Sequence, residues 1–408
     1  MIRFTAILFT IATTAFAQQT AIRAKHAVDV RNGTLIDNAV VLIDGERIAS
    51  FGSNLVIPAK AKVIDLGDVT LLPGLIDCHT HLLASDDDND YGKMLLTKSQ
   101  AFRALEGASN ARKTLLAGFT AVRDVENEGS GYADVALRDA INKGLVDGPR
   151  MKVATRAIAV VGQYNPFGIS PDLVDFPRGA QMVSGVEEAR RAAREQIGNG
   201  ADLIKVYADW RYPTFTVDEM RVIVEEAHKA GKRVAAHATT AEGIRNAVNA
   251  GVDSIEHGDH ADRETLVLMK EKKVWLVPTF AVQQEQLLKH PDSKPLRDFL
   301  AAKKTMLQTA RELGVRIANG YDPASTARHG TNAREIISTA GAGFTNLEAI
   351  RSATLDAAEL IGWEDRIGSL EPGKFADVIA VAGNPLTDIH QLEHVLFVMK
   401  GGVVVKTP

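Results

Sequence analysis

Two histidines separated by one residue end an apolar stretch of the chain. The stretch LLPGLIDCHTHLL runs from Leu71 to Leu83 and contains His79 and His81. Because side chains two residues apart in a β-strand project from the same face, the two imidazoles are expected on one side of a strand end. Imidazole nitrogen is a common metal ligand. The pair therefore indicates either a metal site or two surface or core-capping histidines, and other residues must discriminate between them.

Four more ionisable residues stand near the ends of later apolar runs. They are Lys205 in DLIKVYA, His237 in RVAAHA, His257 in VDSIEHG and Asp322 in VRIANGYD. A single such residue would mean little. A set of histidines, one lysine and one aspartate in equivalent places indicates a site built from several strands.

The elements that must position these residues are eight predicted strands between residues 74 and 371. Their sequences are GLIDCHTH, FTAVRDV, MKVATRA, DLIKVYA, RVAAHA, VDSIEHG, VWLVPTF and VRIANGYD. Most lack polar alternation, which is typical of strands buried on both faces. Predicted helices lie between them; one begins with a capping box at Thr216 and Glu219 and ends at Gly231. The pattern predicts an α/β fold with a (β/α)8 TIM barrel, whose chemistry lies at the C-terminal strand ends.

Both ends of the chain are rich in predicted strands instead. The segment AVVLIDGERIASFG is typical of a hairpin around Asp44 and Gly45, and VLFVMKGGVVVK contains a tight turn at Gly401 and Gly402. We therefore predict a small β-sandwich domain formed by residues 18–73 and 372–408, and a barrel domain of residues 74–371.

The first 17 residues are predicted to be a signal peptide. Arg3 precedes an apolar run, residues 7–16, and Ala15-Phe16-Ala17 is an A-x-A cleavage signature. We expect a mature protein that is secreted or periplasmic, with cleavage near Ala17; the alternative is an uncleaved N-terminal anchor.

Composition excludes several classes of partner. The 408-residue chain is 45% hydrophobic and 24% charged, with a net charge of −4, so no strong basic field favours nucleic acid. No integral membrane association is expected, and a homo-oligomer is left open. Cys78 is the only cysteine, which excludes an internal disulfide.

Lys205 needs an explanation because an unpaired ammonium is costly to bury. One interpretation is a salt bridge with Asp202, Asp209 or Asp322. The other is a neutral lysine that captures carbon dioxide as a carbamate, an anionic group that can bridge two cations.

Taken together, PGLIDCHTH, Lys205, AAHA, SIEHG, Asp322 and GSLEPGKFADVIAV resemble the amidohydrolase superfamily. Within it, the chain resembles the imidazolonepropionase-like branch, which includes Xaa-Pro dipeptidases. The resemblance implies two divalent metals, by default zinc, with a bridging hydroxide that attacks an amide carbonyl. It further implies a buried metal held by two strand-1 histidines and the strand-8 aspartate, an exposed metal held by the strand-5 and strand-6 histidines, and a bridging N6-carboxylysine from strand 4. By position these roles fall to His79, His81 and Asp322, to His237 and His257, and to Lys205, with Asp322 also catalytic.

The pattern departs from the family in two places. Tyr321 precedes Asp322 where a small residue is usual, and Gln163 and Tyr164 stand where many relatives carry Gly-Gly-His. Residues expected near a bound substrate are Gln163, Tyr164, Tyr207, Arg211, His260 and His329. For Tyr207 the alternative is a packing tyrosine, and for His260 and His329 ordinary loop histidines.

The resemblance implies hydrolysis of a C–N amide bond in peptide-like substrates, such as Xaa-Pro dipeptides or N-acyl amino acids. The alternatives are a cyclic-amide hydrolase of the imidazolonepropionase type, a deaminase, or a secreted binding protein without catalysis. Deaminase relatives carry a glutamate three residues after the strand-5 histidine, where this chain has Thr240.

Overall fold

The computed structural model describes residues 19–85, 87, 90–164, 169–170, 172–173, 175–210 and 212–408. The predicted signal peptide, residues 1–17, and Arg211 lie outside these residues. The strands in chain order are β1 (Thr20–Asp29), β2 (Thr34–Asp44), β3 (Arg47–Ser53), β4 (Lys62–Asp65), β5 (Thr70–Pro73), β6 (Leu75–Thr80), β7 (Phe119–Asp124), β8 (Arg150–Val153), β9 (Ala157–Val160), β10 (Ala180–Val183), β11 (Leu203–Tyr207), β12 (Arg233–Ala238), β13 (Ser254–His257), β14 (Trp275–Val277), β15 (Val378–Val381), β16 (Val395–Lys400) and β17 (Val403–Lys406).

The helices alternate with the strands of the central part of the chain. They are α1 (Tyr91–Thr97), α2 (Gln100–Leu116), α3 (Ala133–Asn142), α4 (Val186–Gly198), α5 (Val217–Lys229), α6 (Ala241–Ala250), α7 (Arg263–Lys272), α8 (Phe280–Lys289), α9 (Lys294–Leu313), α10 (Ala333–Gly341), α11 (Asn346–Ser352) and α12 (Leu355–Leu360). The predicted capping box is confirmed at the start of α5, where Thr216 and Glu219 bond each other's backbone. No helix in the described part of the chain is both long and apolar enough to cross a membrane.

Two parallel sheets make up the predicted barrel, which the structure confirms. In one, β7 lies between β6 and β8; in the other the order is β10-β9-β11-β12-β13-β14. The backbone amide of Asp202 donates to the carbonyl of Val153 (2.7 Å) and so links β8 to the start of β11. The strand ends that carry the predicted site residues therefore meet at one mouth.

The predicted eighth strand is the least regular element of the barrel. Within this segment only Ile317 forms a β-bridge, with Leu276 in β14. The amide of Cys78 in β6 donates to the carbonyl of Asn319 (2.8 Å), and the amide of Asp322 donates to that of His79 (2.8 Å). The segment spans the gap between β14 and β6 and pairs with each for a short length, so no long ladder forms, although the barrel is closed.

Strands from both chain ends form one sheet in the order β17-β16-β15-β5-β1-β2-β3, with β4 also beside β1. The sheet folds over a shared core in which side chains of β1 and β2, such as Ile22 and Val41, pack with those of β15 and β16, such as Val378 and Phe397. This arrangement agrees with the predicted sandwich formed by both ends; the domain boundaries at residues 73 and 372 stay a prediction.

The second face of this sheet packs against the N-terminal ends of barrel strands. Leu75 and Phe119, the first residues of β6 and β7, share a cluster with Ile379 and Val395 of the terminal sheet. Because the sandwich covers this end of β6 and β7, their opposite ends remain available for a site.

The two hairpin turns at the chain ends touch through a glycine, which yields a prediction about stability. Gly402 has a φ of +76°, and a Cβ added there would lie 2.2 Å from the carbonyl oxygen of Gly45. Gly402→Ala is expected to lower the free energy of unfolding both by left-handed strain and by displacing the other turn. Gly45→Ala is the matched control, because its φ is +57° with nothing within 4 Å of the added atom. Urea unfolding should show Gly402→Ala to be less stable than Gly45→Ala by about 1 kcal/mol or more; equal losses would contradict the contact.

Candidate metal centre

His79, His81 and Asp322 converge at the barrel mouth. The Nε2 atoms of the two histidines lie 3.2 Å apart, and Asp322 Oδ1 lies 3.2 Å from that of His81 and 3.8 Å from that of His79. Both histidines are buried. Two imidazole nitrogens and a carboxylate oxygen at these distances can hold one divalent cation.

The other ring nitrogen of three mouth histidines faces a polar side chain. The pairs are His79 with Glu256 (2.8 Å), His81 with Glu128 (2.7 Å) and His257 with Thr279 (2.8 Å), each through Nδ1. The His81 contact is a charge contact rather than an aligned hydrogen bond. Such partners fix the ring orientation of metal-binding histidines. They leave Nε2 of each ring as the atom available for a ligand.

His237 and His257 form the other half of the predicted ligand set. Their ring centroids lie 4.6 Å apart, and the His257 ring lies 5.0 Å from that of His79. His237 Nε2 is 4.0 Å from Oδ1 of Asp209, whose carboxylate is held by the amides of Thr239 and Thr240. The structure therefore brings the four predicted histidines together.

Lys205 lies on β11 with 1% of its surface exposed. The acids proposed as salt-bridge partners have other partners: Asp202 pairs with Arg138, Asp209 binds backbone amides, and Asp322 meets His81. Among the described residues, Lys205 forms no ion pair within 4 Å. Burial lowers the pKa of its amine, which favours the neutral form.

The pKa values of His79, His237 and Asp322 suit cation binding, whereas Glu128 and Asp322, against the effect of burial, raise the pKa of His81 well above its usual range, so that His81 would release a proton when a cation binds. Burial lowers the pKa of His79 to about 4 and that of His237 well below its usual range. Although burial opposes its ionisation, His79 and His81 hold the pKa of Asp322 at about 2. Neutral imidazole and ionised carboxylate are the forms that bind metals.

Left-handed backbone conformations are concentrated at the mouth. Non-glycine residues with positive φ that follow barrel strands are Glu128 (54°), Thr155 (61°), His257 (71°), Thr279 (48°) and Asp322 (62°). Such conformations cost free energy and persist where surrounding contacts impose them, often at functional sites. At His257 the conformation lets two consecutive residues, Glu256 and His257, both reach His79, which strand alternation alone would forbid.

Arg123 and Glu256 are functional neighbours that the sequence analysis missed. Arg123 Nη2 lies 2.7 Å from one Glu256 oxygen and 2.8 Å from the other, and both residues are buried. Although burial opposes it, Arg123 and His79 hold the pKa of Glu256 far below its usual value. The available signal was a charge within each of two otherwise apolar strands, FTAVRDV and VDSIEHG.

Two of the predicted substrate residues stand beside the metal cluster. The Tyr207 ring lies 5.0 Å from that of His237, and the Tyr164 ring lies 5.1 Å from that of Tyr207. Both hydroxyls donate to Glu126, a buried residue that the sequence analysis also missed. Both rings also pack with Trp210, so a role for either tyrosine in substrate binding stays a prediction.

The remaining predicted substrate residues are placed differently. His260 is exposed and its ring stacks edge-on against Phe299, at 6.0 Å. His329 is buried, and its Nε2 lies 3.4 Å from the carbonyl oxygen of Ala84. Gln163 is half-buried three residues past the end of β9, and Arg211 lies outside the described residues.

Residues 70–405 match the model of the amidohydrolase family. An ochratoxinase of Aspergillus niger is 34% identical over 421 residues, covering 92% of this chain and 85% of that protein. An imidazolonepropionase of Streptomyces griseus is 26% identical over 374 residues, covering 85% of this chain and 87% of that protein. A crystal structure described as a Xaa-Pro dipeptidase with bound methionine in the active site superposes with a TM-score of 0.86 at 34% identity, covering 95% of this chain and all of that one. These similarities confirm, at a general level, the prediction of metal-dependent hydrolysis of an amide C–N bond.

The contact between His79 and Glu256 yields a prediction about metal affinity. Glu256→Gln removes the charge that orients His79 Nδ1, so we expect divalent metal affinity to fall by about ten- to a hundredfold. Ser254→Ala is the graded control, because it removes one hydrogen bond to Glu256 (2.6 Å) but leaves the contact with His79. The measurement is a competition titration of metal-free protein with a chromophoric chelator. Unchanged affinity in Glu256→Gln would show that this carboxylate does not support the centre.

Proposed function

This chain belongs to the amidohydrolase family, and on that premise we propose that it is a binuclear metal hydrolase of peptide-like amides. Its substrates are dipeptides, such as Xaa-Pro, or N-acyl amino acids. The observation that carries the proposal is the convergence of His79, His81 and Asp322, with Nε2 of both histidines turned toward the carboxylate and their Nδ1 atoms facing Glu256 and Glu128.

The donor set fits two divalent ions, by default zinc because of the ligand types. His79, His81 and Asp322 would hold one ion, His237 and His257 the other, and Lys205 would join them. Bound metals of this kind polarise a carbonyl and lower the pKa of water.

Asp322 is the proposed catalytic residue. Its carboxylate is ionised at neutral pH and projects to the same point as the two strand-1 histidines. It would accept a proton from the attacking water and deliver it to the leaving amide nitrogen, which general acid–base catalysis requires.

We propose that Lys205 reacts as a neutral amine with carbon dioxide to form N6-carboxylysine. The support is its burial, its lowered pKa and the absence of an acidic partner among the described residues. The reaction forms an N–C bond and releases one proton from the amine, so it would replace a neutral buried amine with an anionic group able to bind the metals that the surrounding histidines would hold.

An amide whose leaving group is an amino acid is favoured by the similarity to a solved Xaa-Pro dipeptidase at 34% identity. A cyclic-amide hydrolase is the second candidate, supported by the similarity to an imidazolonepropionase at 26% identity. A non-catalytic binding protein would not need Asp322 and the complete ligand set. We also propose export to a periplasmic or extracellular space, on the strength of the signature at residues 1–17.

Metal removal tests the proposed function directly. Purified protein should hold up to two divalent ions, and strong chelation should abolish release of amino acids from a panel of dipeptides and N-acyl amino acids. Zinc, cobalt or manganese added back should restore release, because the histidines alone cannot polarise the carbonyl. The measurements are metal content by mass spectrometry and amino-acid release. Full activity in demonstrably metal-free protein would exclude the proposal.

Lys205→Ala is expected to lose most activity, because the bridging ligand is lost. Acetate or propionate should restore part of it by occupying the vacated position. Lys303→Ala is the matched control: Lys303 is also fully buried but pairs with Asp259, so short acids should not rescue its variant. The readout is amino-acid release across an acid titration. Equal responses of the two variants, or an unmodified Lys205 in a metal-loaded crystal structure, would contradict the carbamate.

A further inference from the structure

Three aromatic rings and a buried carboxylate stand beside His237, and the proposed mechanism uses none of them. The rings of Tyr164, Tyr207 and Trp210 contact one another, with centroids 5.1, 5.2 and 5.8 Å apart in pairs. The Trp210 and Tyr207 rings each lie 5.0 Å from the His237 ring. We call these three residues and Glu126 the aromatic cage.

Both tyrosine hydroxyls of the cage already donate a hydrogen bond to Glu126. Tyr164 donates to Glu126 Oε1 at 2.9 Å, and Tyr207 donates to Oε2 of the same carboxylate. A phenol has one proton to donate. Neither hydroxyl can therefore donate to a substrate carboxylate without leaving Glu126 unsatisfied, and the cage offers a ligand its ring faces and a negative charge.

Two phenol hydroxyls are the described contacts of the Glu126 carboxylate. Within the described part of the chain it accepts these two hydrogen bonds and forms no ion pair. Gly179 closes the space behind it, since a Cβ there would lie 1.7 Å from Oε1. Burial, with the nearby charge of Glu128, raises the pKa of Glu126 to about 7. A positive charge on the ring side of Glu126 would offset both the burial of its carboxylate and the repulsion from Glu128.

The charge of His81 lowers the pKa of Glu126 without forming an ion pair, and no described cation contacts Glu126 directly. Tyr91 donates its hydroxyl to Glu128 and lies 3.3 Å from the Tyr164 hydroxyl, which adds a second acid to this side of the mouth. Lys205 Nζ is 5.7 Å from the Tyr207 ring centroid, and conversion to a carbamate would remove its charge. Electron-rich ring faces backed by a carboxylate are the usual recognition element for an ammonium group.

We propose that the aromatic cage binds an ammonium group of the substrate next to the scissile amide, which on a dipeptide is the α-ammonium of the N-terminal residue. This inference rests on the proposed amide hydrolysis and narrows its substrate class. It makes the chain a hydrolase of dipeptides with a free amino terminus in preference to N-acyl amino acids, and it assigns Glu126 and Trp210 as specificity-determining residues.

The test compares two substrates with the same scissile bond. Alanyl-phenylalanine carries the ammonium, and N-propionyl-phenylalanine carries a hydrogen in its place. Metal-loaded protein should show a kcat/KM for alanyl-phenylalanine at least about tenfold higher, as expected for a desolvated cation–π contact backed by a charge. Glu126→Gln should reduce that ratio to below about threefold, with the larger change in KM.

Glu335→Gln is the matched control. Glu335 is equally buried and accepts hydrogen bonds from the amides of Phe280 and Ala281, away from the cage. Its variant should keep the wild-type substrate ratio. Cleavage of both substrates at equal rates, a preference for the propionyl compound, or a ratio unchanged by Glu126→Gln would overturn the cage while leaving amide hydrolysis intact. Cleavage of neither substrate, nor of the wider panel, would instead overturn the proposed function.

A second measurement needs neither substrate turnover nor a stable Glu126 variant. Tetramethylammonium chloride should quench or shift the tryptophan fluorescence of the wild-type protein in a saturable way, at ionic strength held constant with sodium chloride. The neutral isostere tert-butanol should not do so. Trp210→Phe should lose the signal, whereas Trp363→Phe should retain it because Trp363 packs far from the mouth, against Arg366. The absence of a saturable response in the wild-type protein would contradict ammonium binding by the aromatic cage.

Discussion

The buried pair of Arg123 and Glu256 is the interaction on which the centre depends. Both side chains lie inside the barrel, where separating charges from water is costly unless they are fully paired. The carboxylate of Glu256 contacts Arg123, Ser254 and His79. Because Arg123 keeps that carboxylate ionised, Glu256 can hold the Nδ1 proton of His79 and direct the opposite nitrogen toward Asp322.

Left-handed backbone conformations at the barrel mouth also help to bring the candidate ligands together. His257 and Asp322 adopt left-handed conformations at the ends of their strands, and each then projects into the pocket. Asp322 is held on both sides: its amide bonds the carbonyl of His79, and the preceding Tyr321 donates its hydroxyl to Glu285. Glu285 also meets Arg328 and so anchors the loop that follows. This accounts for the large residue before Asp322, because the Tyr321 hydroxyl bonds Glu285 and Thr331 rather than the candidate metal ligands.

The barrel and the six converging residues could be predicted because parallel strands bring their carboxyl ends to one mouth, and strand ends are visible as the limits of apolar runs. Other features depend on side-chain direction, which one sequence does not contain. Glu256 and Glu126 appear as single charges in apolar surroundings, and only the fold shows that they face inward. The eighth segment was predicted as a strand, yet its pairing changes partner within a few residues.

Two carboxylates in one short loop have pKa values that their surroundings shift in opposite directions. Glu126 and Glu128 are both buried and two residues apart. Although burial opposes it, the charge of His81 lowers the pKa of Glu128, which favours the ionised form beside a candidate metal ligand. The described hydrogen-bond donors to Glu126 are two neutral phenols, and burial raises its pKa instead. The positive φ of Glu128 turns the loop, so that Glu128 faces His81 while Glu126 faces Tyr164 and Tyr207.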